Sequence, residues 1–278
     1  VNIGAYAAWE RGFTGKDVIV AVLDTGLDPN HVDIKGKIVG AYNFYKTSTV
    51  LTELKDGHGT AMASIAVGAY NNDGVVGVAY DSKLLFGQVG QGTNVDIRAA
   101  QRAALWAVNN GASVANMSFT ANFDKVYQSM VKPSTNEKGV YIVQDPSRNV
   151  GRNAYYGYID AIDGFKAATD KGLILVMAAG NQGLPYAQFP GAFATQVDST
   201  GKLVLGGRML IVGATESTGS YMASFSNRAG HICTNLVGTT CNDPYRVKDF
   251  FVVAPGMQVY GSVANQQGLK DSTGALNT

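Results

Sequence analysis

Apolar residues in this chain fall in short runs, and the sharpest is Val18-Ile19-Val20-Ala21-Val22-Leu23, which ends on Asp24-Thr25-Gly26. An unbroken run of mostly β-branched residues, bracketed by Gly15 and Gly26, predicts a strand buried on both faces, the setting of a parallel sheet. Further strands are predicted over 38–45, 83–89, 112–117, 173–177, 209–214 and 250–253. Between them, apolar positions recur at helical spacing over 5–12, 60–67, 94–110 and 155–171. In 94–110, Val95, Ile97, Ala99, Ala104, Trp106 and Val108 supply the apolar face and Gly111 stops the helix. The segment 60–67 is built of small residues, which let a helix lie close to a sheet. The stretch 119–153, with Pro133 and Pro146, reads as an irregular surface insertion, and 196–208 as a hairpin around Ser199-Thr200-Gly201. Alternating strands and helices define an α/β fold: one domain over 1–278, with a mostly parallel central sheet between helices on both faces, in three layers.

Charge changes the picture mainly by exclusion. The 278 residues carry 22 basic and 21 acidic side chains, a formal net charge of +1. No field of one sign is available to hold nucleic acid or an anionic membrane, so neither is an expected partner. No apolar run reaches the roughly 18 residues of a spanning helix. The N-terminus lacks the regions of a signal peptide, as expected of a mature or trimmed chain. Cys233 and Cys241 are the only cysteines. Their spacing suits a small disulfide-closed loop and an oxidising compartment, with two free thiols as the alternative, and does not suit a zinc knuckle.

Three segments carry candidate chemistry. Asp24 closes the first strand, and in α/β sheets the carboxyl ends of strands are where reactive groups collect. Asp56-Gly57-His58-Gly59-Thr60 sets an imidazole between two glycines at the first turn of a helix, unobstructed as a base must be. His31 and His231 lack ligand spacing relative to it and read as surface or loop residues, which argues against a metal at His58. Leu173 to Met177 then delivers Ala178-Ala179-Gly180-Asn181 into a glycine-rich turn. An amide there either bonds its own backbone or is placed to hydrogen-bond a developing oxyanion.

Taken together these segments resemble the subtilisin-like serine proteases, the subtilases. Val20 to Gly26 matches the family's aspartate motif, Asp56 to Thr60 its histidine motif, and Ala178 to Asn181 its oxyanion segment. Asn116-Met117-Ser118-Phe119 is similar to the substrate-pairing strand, and Ala223 to Asn227 and Val253 to Gly256 match two further stretches. The likeness runs from about Ala5 to Gly261. It implies a serine endopeptidase of polypeptide substrates, secreted or at the cell surface, needing no cofactor for its chemistry. By the same resemblance Asp24 orients His58, and His58 takes the proton of an attacking serine. Asn181 holds the oxyanion, while Asn116, Met117, Ser118, Phe119, Ala179 and Gly180 contact substrate. The strand 112–118 would add the substrate as an extra strand.

The chain also departs from the family. The Gly-Thr-Ser-x-Ala segment that carries the nucleophile should follow Ala254-Pro255-Gly256, yet the remaining 22 residues contain none. Ser272 sits in a polar run and reads as a loop residue. The nucleophile is therefore expected outside these residues, on a further C-terminal segment or partner domain. The alternative is a catalytically inactive, peptide-binding homologue. The loop 69–77 resembles the family's calcium-holding loop but is one residue shorter, which leaves Ca2+ an open expectation. The insertions 119–153 and 196–208 flank the expected cleft and are similar to additions in the passenger domains of bacterial autotransporter subtilases. A nucleotide-binding domain would need a glycine-rich phosphate loop after the first strand, which Asp24-Thr25-Gly26-Leu27 does not supply.

Overall fold

The structure, a computed structural model, describes residues 3–51, 57–120, 131–143, 162–233, 236–237, 240–257, 259–262, 269–270 and 276–277. Its centre is a seven-stranded sheet of β1 (Ile19–Asp24), β2 (Ile38–Asn43), β3 (Lys83–Gln88), β4 (Ala112–Met117), β7 (Ile174–Ala178), β8 (Met209–Thr215) and β10 (Phe251–Pro255). The strands lie in the order β10-β8-β7-β4-β1-β3-β2, and every neighbouring pair is parallel. A smaller sheet joins β5 (Val131–Pro133), β6 (Val140–Val143) and β9 (His231–Ile232) in the order β9-β6-β5. Among the described residues the α-helices are α1 (Ala5–Glu10), α2 (His58–Val67), α3 (Ile97–Asn109) and α4 (Ile162–Asp170).

β1 is buried on both faces, as its apolar run requires. Ala21 and Leu23 face a core with Leu85, Ala115, Met117, Leu175, Met177 and Ile211, packed under α3 and α4. Val20 and Val22 face the opposite side, where Leu84 and Phe86 meet Ala63 and Val67 of α2. The α/β class with helices on both faces is thus realised. α3 starts where Asp96 caps it by accepting the Arg98 amide at 2.8 Å. Its buried stripe is Ala99, Ala100, Ala103, Ala104 and Ala107, whereas Ile97, Trp106 and Val108 are only partly buried. The larger side chains therefore flank the contact, because α3 lies against the sheet on one side and α4 on the other. At Gly164 of α4 a Cβ would come within 2.5–2.8 Å of the Gln101 side chain, so only glycine allows that approach.

The insertion over 119–153 is more regular than its composition suggests, since 131–143 contributes β5 and β6 to a sheet. The rest of it, with Pro146, lies outside the described residues, as do residues 155–161 of the expected helix. The 196–208 hairpin is present, with Val197 bridging Leu203 around a turn held by Asp198.

One face of the sheet is only half covered. α2 packs over β1 and β3. On the same side, Val176 pairs laterally with Leu210, and Ala178 with Val212 and through it with Val252. Ile174, Leu210 and Val252 along this face are 40%, 37% and 46% exposed. Phe165 of α4, on the other side, is fully buried. Phe165→Ala should therefore cost about 3–5 kcal/mol, and Leu210→Ala less than about 1 kcal/mol. Urea midpoints of the two variants measure this, and equal losses would mean the face is covered in solution.

Candidate active site

Asp24 is the last residue of β1, paired with Gln88 of β3, and its side chain is 1% exposed. Its Oδ1 accepts hydrogen bonds from His58 Nδ1 at 2.8 Å, the Thr25 amide at 2.7 Å and Thr25 Oγ1 at 3.2 Å. An ionised carboxylate only accepts, so the shared proton belongs to Nδ1 and Nε2 is left able to take another. The His58 side chain is 44% exposed. Asp24 Oδ2 is buried with no hydrogen-bond partner among the described residues.

The glycines around His58 have separate physical tasks. Gly57 caps α2 at φ +61°, a left-handed conformation that favours glycine. At Gly59 a Cβ would stand 2.0 Å from the Gly26 carbonyl oxygen and 3.1 Å from the Phe86 ring, so its absence lets α2 reach the end of β1. Thr60 Oγ1 then accepts the Asp28 amide at 2.9 Å, tying the helix to the turn after Asp24. Asp56 lies outside the described residues.

Asn181 lies three residues beyond β7, on the same sheet edge as Asp24. It is exposed, and its side-chain amide makes no hydrogen bond among the described residues. The turn that carries it is held from beneath by Asn227, which is fully buried. Asn227 Oδ1 accepts the amides of Gln182 and Leu184 at 3.1 and 2.9 Å, and its Nδ2 donates to the Ala179 carbonyl at 3.0 Å. Gly180 has φ +110°, and a Cβ there would lie 2.4 Å from Asn227 Nδ2 and 2.7 Å from Gln188 Oε1. The carbonyls of Ala179 and Gly180 are both engaged inside this network. Sequence reasoning matched Asn227 only to a family stretch and missed Gln188, because periodicity carries no signal for a buried amide under a turn.

β4 requires a correction. It is an interior strand, with Val22 of β1 on one side of Asn116 and Val176 of β7 on the other. Both its edges are used, so 112–117 has no free ladder for a substrate strand, and Met117 is wholly in the core. Among the described residues, backbone without a ladder partner begins at Ser118, followed by Phe119 and Thr120. Asn116 Nδ2 donates to Ser118 Oγ at 3.0 Å, and Thr120 Oγ1 to Gln188 Oε1 at 3.1 Å. Gln188 is fully buried, and its Nε2 has no partner among the described residues.

The loop 69–77 folds over buried Asp33. The Ala69 amide donates to the Asp33 carbonyl at 3.0 Å, and the Val75 amide to Asp33 Oδ2 at 3.0 Å. Cys233 and Cys241 bring their sulfurs to 2.22 Å, with Cα atoms 5.8 Å apart. His231 is not a surface residue. It is 2% exposed and bonded through Nε2 to Asp243 Oδ2 at 2.8 Å, because β9 carries it under the insertion.

Comparison with known proteins places the chain in a family. The subtilase family model matches residues 15–277. A probable subtilase-type serine protease of Deinococcus radiodurans is 35% identical over 138 residues, 42% of this chain and 19% of that protein. Subtilisin BL of Lederbergia lenta is 30% identical over 229 residues, 81% of this chain and 65% of that protein. Among solved structures, the prenylagaramide maturation protease PagA shares the fold with a TM-score of 0.59 at 21% identity, covering 95% of this chain and 72% of that one. The chain belongs to the subtilase family. It spans less than two thirds of the length of these two curated relatives.

The close approach at Gly59 is open to test. Gly59→Ala should destabilise the fold by about 1–3 kcal/mol through forced displacement of α2 from the β1 turn. An unchanged thermal midpoint would contradict that packing.

Proposed function

We propose that this chain forms the proteolytic domain of a serine endopeptidase. The observation that carries the reading is the 2.8 Å bond between a desolvated Asp24 carboxylate and the half-exposed His58 imidazole, at the carboxyl edge of a parallel sheet. In this mechanism a serine hydroxyl passes its proton to His58 Nε2 as its oxygen attacks a peptide carbonyl. Asp24 fixes the ring and stabilises the imidazolium, which then protonates the leaving amine. Water resolves the acyl-enzyme by the same route. The Asn181 side chain, unengaged among the described residues, donates to the oxyanion. Substrate backbone runs along Ser118 to Thr120.

The serine belongs, on this reading, to a segment beyond the 278 residues that seats on the half-covered face of β7, β8 and β10. Support comes from the in-register apolar stripe of Ile174, Val176, Leu210, Val212 and Val252. An apolar sheet face of this kind calls for cover. An extracytoplasmic, oxidising setting fits the closed Cys233–Cys241 pair.

Full-length protein should be labelled once by a fluorophosphonate probe and should hydrolyse peptides. Asp24→Asn and His58→Ala should each lower kcat by about 10⁴-fold with unchanged circular dichroism. Asn181→Ala should cost about a hundredfold or more, chiefly in kcat, a magnitude carried over from subtilisin. A folded full-length protein that binds peptides but neither labels nor cleaves is the inactive homologue instead.

A further inference from the structure

A second constellation lies in the C-terminal third of the chain, in the segments His231-Ile232-Cys233 and Cys241-Asn242-Asp243. Each sets two ligand-type residues two positions apart, a spacing that puts both side chains on one face of extended backbone. β9 holds the first segment against β6, and a short ladder of Leu236–Val237 with Thr240–Cys241 turns the chain back for the second. His231 Nε2 lies 2.8 Å from Asp243 Oδ2, and Cys241 Sγ 3.5 Å from that same oxygen. The ligand atoms of His231, Cys241 and Asp243 all fall within 4.8 Å of one another, and all three residues are buried. Cys233 Sγ adjoins Cys241 Sγ at 2.22 Å.

We propose that these four side chains form a redox-gated zinc site, closed by the Cys233–Cys241 disulfide when oxidised and binding one Zn2+ when reduced. Tetrahedral zinc with sulfur at about 2.3 Å and nitrogen or oxygen at about 2.0–2.2 Å places its ligand atoms roughly 3.3–3.7 Å apart. The sulfur–oxygen spacing already meets this, and the imidazole–carboxylate pair must open by about half an ångström. Two thiolates, one carboxylate and a neutral imidazole leave the loaded site one negative charge. The Arg246 guanidinium stands beside it, donating to the Asp243 carbonyl and to both carboxylate oxygens of Glu137.

A plain disulfide gives no reason to bury this His–Asp pair against it. Burying such groups costs free energy unless they are fully satisfied, yet His231 Nδ1 has no partner among the described residues. The redox step balances with an external dithiol, whose oxidation supplies two electrons and two protons to the disulfide. Zinc binding then displaces the two thiol protons. None of this depends on proteolysis.

The test uses Co2+ as a spectroscopic probe on full-length protein, either oxidised or reduced with a phosphine under anaerobic conditions. Reduced protein should bind one equivalent, with the strong ligand-field bands of tetrahedral cobalt and a thiolate charge-transfer band, and Zn2+ should displace it. Oxidised protein should give neither band. His231→Gln and Asp243→Asn should weaken Co2+ binding at least tenfold in the reduced state, with the two redox forms of wild-type protein as the primary comparison. Reduced protein that binds no cobalt, or only octahedral cobalt, overturns the assignment. So does the same spectrum in the oxidised protein or in Cys233→Ser.

Discussion

A carboxylate taken out of water at the end of a buried strand is the constraint on which the site depends. Stripping a charged group of solvent is costly unless strong hydrogen bonds replace the water. At Asp24 that replacement comes from the adjoining Thr25 and from one long-range donor, the His58 ring. The donor arrives only because α2 packs directly on the turn after β1, which in turn requires bare backbone at Gly59. The glycine-framed histidine is therefore a packing solution as much as a chemical one. One close approach both gives the buried Oδ1 its long-range donor and sets the ring's orientation.

A similar economy holds at the neighbouring strand ends. The turn after β7 has no regular structure of its own, and buried Asn227 supplies the hydrogen bonds that a helix or ladder would give. With its backbone satisfied from below, the turn can leave the Asn181 side chain exposed. The sheet itself is asymmetric. One face is closed by the alanine-lined α3 with α4, while α2 covers only part of the other. That leaves Ile174, Leu210 and Val252 partly exposed on the other face.

The central strands were legible in the sequence to within a residue or two, because a strand buried on both faces must be continuously apolar. The acid, the imidazole and the turn after β7 were legible for a related reason, since each leaves a regular element at a glycine. What escaped depends on neighbours. Periodicity marks 112–117 as a strand and the family resemblance casts 112–118 as pairing with substrate, but neither reveals that β1 and β7 flank it. α3's face was misjudged because alanine is too small to stand out beside Trp106 and Val108, although smallness is what lets α3 pack closely. His231 read as a surface residue because its cover, the 131–143 insertion, looked irregular.

The decisive measurement is nitrogen-15 NMR of the His58 side chain. A proton should reside on Nδ1, with a strongly downfield resonance that disappears in Asp24→Ala. A proton resident on Nε2 instead, or an Nδ1 signal indifferent to the loss of Asp24, would contradict the pairing of Asp24 with His58.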